Sequence, residues 1–204
     1  YGIAAYKSTN DFAQQELAYI LDIGGITIET GKQLGKQINL EDLQQQYDAV
    51  FLGCGLATVN QLNLDNENIS GVIDAVEYIA NLRQTSNKDE LMVGKNIVVI
   101  GGGMTAIDIA VQSKLLGAEQ VTIAYRRSKN IMAASEYEQA LAKKHDVQIQ
   151  YNVSPKRLLS ANSNVTAMEF DIMQSQNDGS LMASGENITL KADVVFKAIG
   201  QKLV

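Results

Sequence analysis

One cysteine, Cys54, and one histidine, His145, are all that 204 residues offer of either type. A lone cysteine cannot close an internal disulfide, and without a Cys/His cluster a zinc site has no ligand set. No apolar run approaches the roughly 18–20 residues of a membrane span. No charged, apolar and small-residue succession of the kind that marks a signal peptide opens the chain. Low-complexity tracts are missing too. Positive charge is in the minority: 17 Lys and Arg against 23 Asp and Glu leave −6, which argues against a general nucleic-acid binder. Together these absences make a reducing, cytoplasmic setting the expectation. Apolar residues are plentiful at 46%, enough for the core of one large domain or of one and a half small ones. The chain begins at Tyr1 rather than Met and stops just after a strand-like run, so it is expected to be a piece of something longer.

Strand-like and helix-like segments alternate. Residues 8–22 space Ala13, Leu17, Ile20 and Leu21 as a helix does. β-branched "GITIET" (25–30) predicts a strand, and "DAVFLG" (48–53) a buried one. Between them Asn39 is a candidate N-cap, followed by Glu41 and Asp42 in the electropositive first turn. Residues 70–83 predict a helix, and polar "QTSNKDE" (84–90) a linker, which puts a boundary near residue 90. Then "KNIVVIGGGMTAIDIAVQSKLLGA" reads as strand, glycine turn and helix, with Gly117 as its stop. "QVTIAY" is the next strand. Ser135 and Glu138 form a capping box before a helix, and "VQIQY" is a third strand. After Lys156 come an alternating strand, a hairpin signal in "NDGS", and more strand in "NITLKADVVFKAIG". The order predicts an α/β fold: a Rossmann-like, doubly wound parallel sheet with an antiparallel β appendage, plus an incomplete second α/β segment in the first half.

The strongest chemical feature is "GGGMTA", in which Gly101, Gly103 and Ala106 make a G-x-G-x-x-A pattern. Gly101 permits a tight turn. Gly103 lacks a Cβ, so a pyrophosphate can approach the backbone, and Ala106 lets helix and strand pack closely. The helix N-terminus turns free N–H groups and a positive dipole end toward phosphate. A glycine turn could serve packing alone, but the apolar run Ile97–Ile100 before it and the stripe Ile107, Ala110, Val111, Leu115 after it favour nucleotide binding. Arg126 lies twenty residues beyond Ala106, where a ribose-binding carboxylate is expected. A carboxylate accepts from a 2′-hydroxyl and repels a 2′-phosphate. A guanidinium does the opposite. Arg126 and Arg127 therefore point to NADP(H) rather than NAD(H).

Other features carry less. "GCGLAT" (53–58) loosely matches the same pattern, but the Asn-rich run after it is no helix, so it reads as a glycine-lined strand end. His145, beside Lys143 and Lys144 at a helix end, reads as a solvated cation. Cys54 reads as a small buried residue, since no C-x-x-C is present. Tyr125 and Lys129 share the Tyr-x-x-x-Lys spacing of short-chain dehydrogenases, but at a strand end rather than on a later helix, so the match is read as chance. Asp108 is expected to pair with the dipole of the helix after the glycines, and the six methionines to fill core.

The segments "VVIGGGMTAIDIA", "GAEQVTIAYRRS" and "ADVVFKAIGQ" resemble the NADPH-binding domain of flavin oxidoreductases related to the glutamate synthase small subunit. "YGIAAYK", "GKQINLEDLQQQYDAVFLGCGL" and "GVIDAVEYIANLR" resemble that group's FAD domain, and "SPKRLL", "AMEF" and "LKADVVFKAIG" are most similar to its dihydropyrimidine dehydrogenase branch. The resemblance implies a partial FAD-binding domain over 1–90 and an NADP(H)-binding Rossmann domain over 91–204. It implies that Gly102, Gly103, Met104 and Thr105 lie on the pyrophosphate and that Arg126 and Arg127 hold the 2′-phosphate. Ala198, Ile199 and Gly200 would line the nicotinamide side. Lys7, Leu34 and the Cys54–Gly55 turn match positions near FAD. The implied activity passes hydride from NADPH to FAD and electrons onward to an iron–sulfur or flavin partner domain or subunit. The family's first FAD glycine motif, its closing G-D motif and its iron–sulfur cysteines are not in these residues. The chain is thus expected to bind NADP(H) without holding FAD or turning over alone. A non-catalytic NADP(H)-sensing module would use the same nucleotide residues.

Overall fold

The computed structural model describes residues 3–56 and 58–202. Contacts gather them into two compact units: residues 8–56 form one, and residues 3–7 with 58–202 the other. The smaller unit holds α1 (Phe12–Asp22) and α2 (Leu40–Gln46). Asn39 caps α2 as expected, its side chain accepting the Asp42 N–H. The strands predicted at 25–30 and 48–53 are absent; both stretches are irregular backbone. β-branched residues favour a pleated strand only where a neighbouring backbone completes its hydrogen bonds. No described segment of this unit supplies one. Cys54, predicted to be buried, is exposed for the same reason: the strand end expected around it does not form.

The larger unit is built on a five-stranded parallel sheet. In chain order its elements begin with the short β1 (Thr58–Val59), β2 (Val72–Asp74) and α3 (Ala75–Gln84). β3 (Asn96–Gly101), α4 (Met104–Leu115), β4 (Gln120–Tyr125), α5 (Glu136–Lys144) and β5 (Gln148–Tyr151) follow. β6 (Val153–Ala161), β7 (Asn164–Ser175) and β8 (Leu181–Lys191) come next, and β9 (Val194–Ala198) and β10 (Gln201–Lys202) close the series. The sheet order is β2-β9-β3-β4-β5; β6-β7-β8 form an antiparallel sheet, and β1 pairs with β10. The helix predicted over 70–83 therefore starts later. Val72, Ile73 and Asp74 pair in register with Val195, Phe196 and Lys197, and only Ala75 onward is helical. β-branched residues beside an open parallel edge outweigh the helical spacing. As a result, residues 70–84 pack with the sheet that the sequence assigns to the second half.

Both faces of the parallel sheet are covered, so its strands read as continuous apolar runs rather than as alternation. Ile97 and Val99 of β3 and Val121 and Ile123 of β4 face a cluster with Ile107, Ala110 and Val111 of α4, Ile79 of α3 and Ala142 of α5. Val98, Ile100 and Ala124 face the other way, onto Leu158, Val165, Met168 and Phe170 of the antiparallel layer. The appendage is thus the second cover of the sheet. Local punctuation follows expectation. Gly117 adopts φ +100° at the end of α4, and Ser135 and Glu138 complete the capping box of α5. His145 forms the C-cap of that helix. Among the described residues, no helix is long and apolar enough to cross a membrane, and no group of three or more His, Cys, Asp or Glu could hold a metal ion.

Candidate nucleotide site

The chain runs from β3 outward to β4 and β5, then crosses back to place β9 on the other side of β3. The connections on the two sides of this reversal run over opposite faces of the sheet, helices over one and the antiparallel layer over the other, and a crevice opens beyond the strands' carboxyl ends. A cleft of about 580 Å³ lies there. Its walls are the ends of β3 (Ile100–Gly103, with Thr105), β4 (Ala124–Arg126) and β9 (Ala198–Gly200), with Asn60–Asn63 and Val153–Pro155 at the sides.

The glycines do three different jobs. Gly101 has φ +147°, and a Cβ there would stand 2.3 Å from the carbonyl oxygen of Ala198, so β9 can approach only because the side chain is missing. A Cβ on Gly102 would strike the Tyr125 ring at 2.3 Å. A Cβ on Gly103 would meet no protein atom within 4 Å. Gly103 is therefore the position at which packing does not require glycine and a ligand would. It is the N-cap of α4 without a side-chain cap, and among the described residues no protein acceptor takes the N–H of Met104 or Thr105. Free N–H groups at the start of a twelve-residue helix suit an anion. Ala106, fully buried, lets α4 lie against the sheet. These features fit the pyrophosphate of a dinucleotide.

Arg126 stands in the same cleft, at the end of β4. Arg127 is exposed outside the cleft walls, and its carbonyl accepts the Asn152 N–H at 3.2 Å. Among the described residues neither guanidinium forms a salt bridge, so Arg126 carries an uncompensated positive charge beside the glycine loop. Ala198, Ile199 and Gly200 line the opposite wall. Their loop is fixed by two bonds from Asn60: its backbone N–H donates to Gly200 O at 3.1 Å and its side chain to Ile199 O at 3.2 Å. Asn60 and Tyr125 escaped the sequence reading. Asn60 has no local signal, while Tyr125 was visible only as a chance dehydrogenase spacing.

The expected flavin-side residues divide between the two units. Leu34, Cys54 and Gly55 belong to the smaller unit. Lys7 lies 2.7 Å from Asp108 on α4 and 3.1 Å from Glu138 on α5. The Tyr6 hydroxyl donates to Asp108 at 2.8 Å, and Ala5 N–H to Gln112 at 3.1 Å. Asp108 is accordingly not the dipole partner expected: it sits beyond the first turn of α4 and answers Tyr6 and Lys7. Burial would lower the Lys7 ammonium, but its bonds to Asp108 and Glu138 hold it above its ordinary value. Burial would raise Glu138, but Lys7 and the Ser135 N–H bring it below. Burial, then Asp108, pushes the Tyr6 phenol upward. A second cleft, about 450 Å³, is lined by Glu67, Asp74, Glu77, Glu90 and Lys197 but by none of the glycine-loop residues. There Lys197 is ion-paired with Glu67 at 3.3 Å and Asp74 at 3.0 Å.

Known proteins agree with this architecture. The chain is 32% identical to the glutamate synthase (NADPH) small chain of Escherichia coli strain K12, across 98% of this chain and 45% of that protein. It is 32% identical to the NADPH-Fe(3+) oxidoreductase subunit beta of Geobacter sulfurreducens, across 98% of this chain and 31% of that one. The chain thus spans less than half the length of these relatives. Mycobacterium tuberculosis FprA, solved in complex with NADPH, superposes with a TM-score of 0.76 at 17% identity, covering 100% of this chain and 61% of FprA; that likeness establishes the fold. The pyridine nucleotide-disulphide oxidoreductase family matches residues 3–203, and the chain belongs to it.

Proposed function

We propose that this chain is the NADPH-binding part of a flavin-dependent oxidoreductase that passes hydride from NADPH to FAD and electrons onward. The observation that carries the reading is the meeting, in one cleft, of an open Gly103 at a helix N-terminus and an unpaired Arg126 at the adjoining strand end. Gly102, Gly103, Met104 and Thr105 would receive the pyrophosphate, Arg126 with Arg127 the 2′-phosphate, and Ala198–Gly200 the nicotinamide side. NADPH, when bound, supplies the hydride. The chain's own contribution is positioning, which fits the lack of an acid/base pair among the cleft residues. Residues 91–204 are assigned to NADP(H). Residues 1–90, with Lys7, Leu34, Cys54 and Gly55, are assigned to the flavin side of the whole protein. Two of the relatives carry NADPH in their names, and both are named as a chain or subunit of a larger enzyme, which supports an electron-input role beside an iron–sulfur or flavin partner. Among parents, a glutamate synthase small subunit or a dihydropyrimidine dehydrogenase-type protein fits the motifs.

Direct titration with NADPH and NADH tests the cofactor. NADPH is expected to bind clearly tighter, and Arg126→Ala to weaken it by about 1.5–3 kcal/mol, the scale of hydrogen bonds to a charged group, with NADH nearly unchanged. Equal affinities for the two nucleotides in the wild type would defeat the assignment.

A further inference from the structure

We infer that Tyr125 is a specificity-determining positioning residue: it fixes the arginine-bearing loop to the glycine loop and so sets the spacing between the two phosphate-binding points. The inference rests on the NADPH reading and adds a residue to it.

Three observations meet at this side chain. Its ring lies against Gly102, where even a methyl group would overlap it. Its hydroxyl donates to the carbonyl of Ile131 at 2.9 Å, across the loop that leaves β4 through Arg126 and Arg127. The same loop returns to the glycines, since Ala134 N–H donates to Gly102 O at 2.9 Å. Strand end, arginine loop and glycine loop therefore form a closed ring with Tyr125 as its cross-brace. The far side of the ring is anchored too, because Gln139 donates to Ala134 O at 2.9 Å and Tyr151 donates to Gln139 at 3.1 Å.

The consequence is geometric. Pyrophosphate and 2′-phosphate sit on one rigid ligand at a fixed separation. A guanidinium on an exposed loop binds both charge and position only if the loop is held relative to the glycines. Pre-organisation of this kind contributes affinity by reducing what must be ordered on binding. It acts on the 2′-phosphate alone, so it should alter NADPH and leave NADH untouched. The ring joins the two proposed phosphate-binding points and holds none of the residues proposed for the nicotinamide side, so its effect belongs in binding.

The test is a double-mutant cycle in the full-length protein, read as dissociation constants for NADPH and NADH. Tyr125→Phe keeps the ring over Gly102 and removes only the bond to Ile131 O. It is expected to weaken NADPH roughly fivefold, about the effect of one neutral hydrogen bond, and to change NADH less than twofold. In the Arg126→Ala background it should have no further effect on NADPH. The thermal unfolding midpoint of Tyr125→Phe should fall by no more than a few degrees, the loss of one exposed hydrogen bond. Equal weakening of both nucleotides, an unchanged NADPH constant, or a full additional loss on top of Arg126→Ala would each overturn the inference. These failures are separable from failure of the NADPH reading. If Arg126→Ala removes the preference but Tyr125→Phe does not touch it, only the brace is wrong; if the wild type shows no preference, the reading beneath it falls.

Discussion

Residues 8–56 and the sheet-bearing unit are both rich in apolar side chains, yet they use them differently. In the sheet unit, Phe170, Phe196, Ile107 and Ile123 are fully buried. In residues 8–56 no residue is buried, and Phe51 is 94% exposed. The difference is pairing. β3 has β9 on one side and β4 on the other, then helices above and an antiparallel layer below. The "GITIET" and "DAVFLG" segments have no described strand beside them. Apolar pattern specifies which face is to be buried, but burial needs a second surface, and a strand needs a neighbour's hydrogen bonds.

The largest expected effect contrasts the two units directly. In the 204-residue chain, Phe196→Ala, which empties a core position and removes an edge-to-face contact with Tyr78 at 4.9 Å, should cost about 3–5 kcal/mol. Phe51→Ala should stay within about 0.5 kcal/mol. Denaturant unfolding measures both, and similar losses would end the contrast.

A smaller effect sharpens the place of residues 3–7, which lie in sequence beside the loose unit and pack in the firm one. Lys7→Met strands two largely buried carboxylates. Because Lys7 is itself partly exposed, the cost should be about 1–3 kcal/mol rather than that of a fully buried pair. Its pH dependence has a definite sign. Glu138 is depressed below 4.5, so its share of the stability is present above that value and is lost as pH falls through the lower folded one. Lys7 is raised above 10.5, so its share is complete below that value and is lost as pH rises through the higher folded one. The gap between wild type and Lys7→Met should therefore be widest across neutral pH and close at both extremes. A gap that is constant from acid to alkali would show that packing, not charge, holds the segment.

The smallest expected change in stability separates the ligand's demands from the fold's. Gly103→Ala places a methyl group in open space and should move stability by no more than about 0.5 kcal/mol. Nucleotide binding should nevertheless be lost. Gly102→Ala meets the Tyr125 ring instead and should damage both. If Gly103→Ala binds NADPH normally, the pyrophosphate does not sit where the open cleft suggests.

Much of the candidate site was legible because its signals are local. G-x-G-x-x-A after an apolar run, a capping box, a glycine stop and arginines at a strand end each involve residues close in sequence. Asn60 illustrates what is not legible: it reaches the Ala198–Gly200 loop 139 residues away, and nothing around it announces the bond. Lys7 is similar, its meaning fixed by carboxylates on two distant helices. The strands at 25–30 and 48–53 failed for the converse reason, since a correct local propensity has no force without a partner.

By itself the sequence determined the parallel α/β order, the glycine turn into α4, and the charge at the end of β4, because chain-local sterics, hydrogen bonding and residue type decide those. Only the tertiary structure decided that β2 is a strand, that the antiparallel layer covers the back of the sheet, and that Gly101 and Gly102 answer to different neighbours while Gly103 faces open space. Those outcomes depend on which surfaces meet, and sequence neighbours do not meet in the way that Gly101 meets Ala198 or Gly102 meets Tyr125.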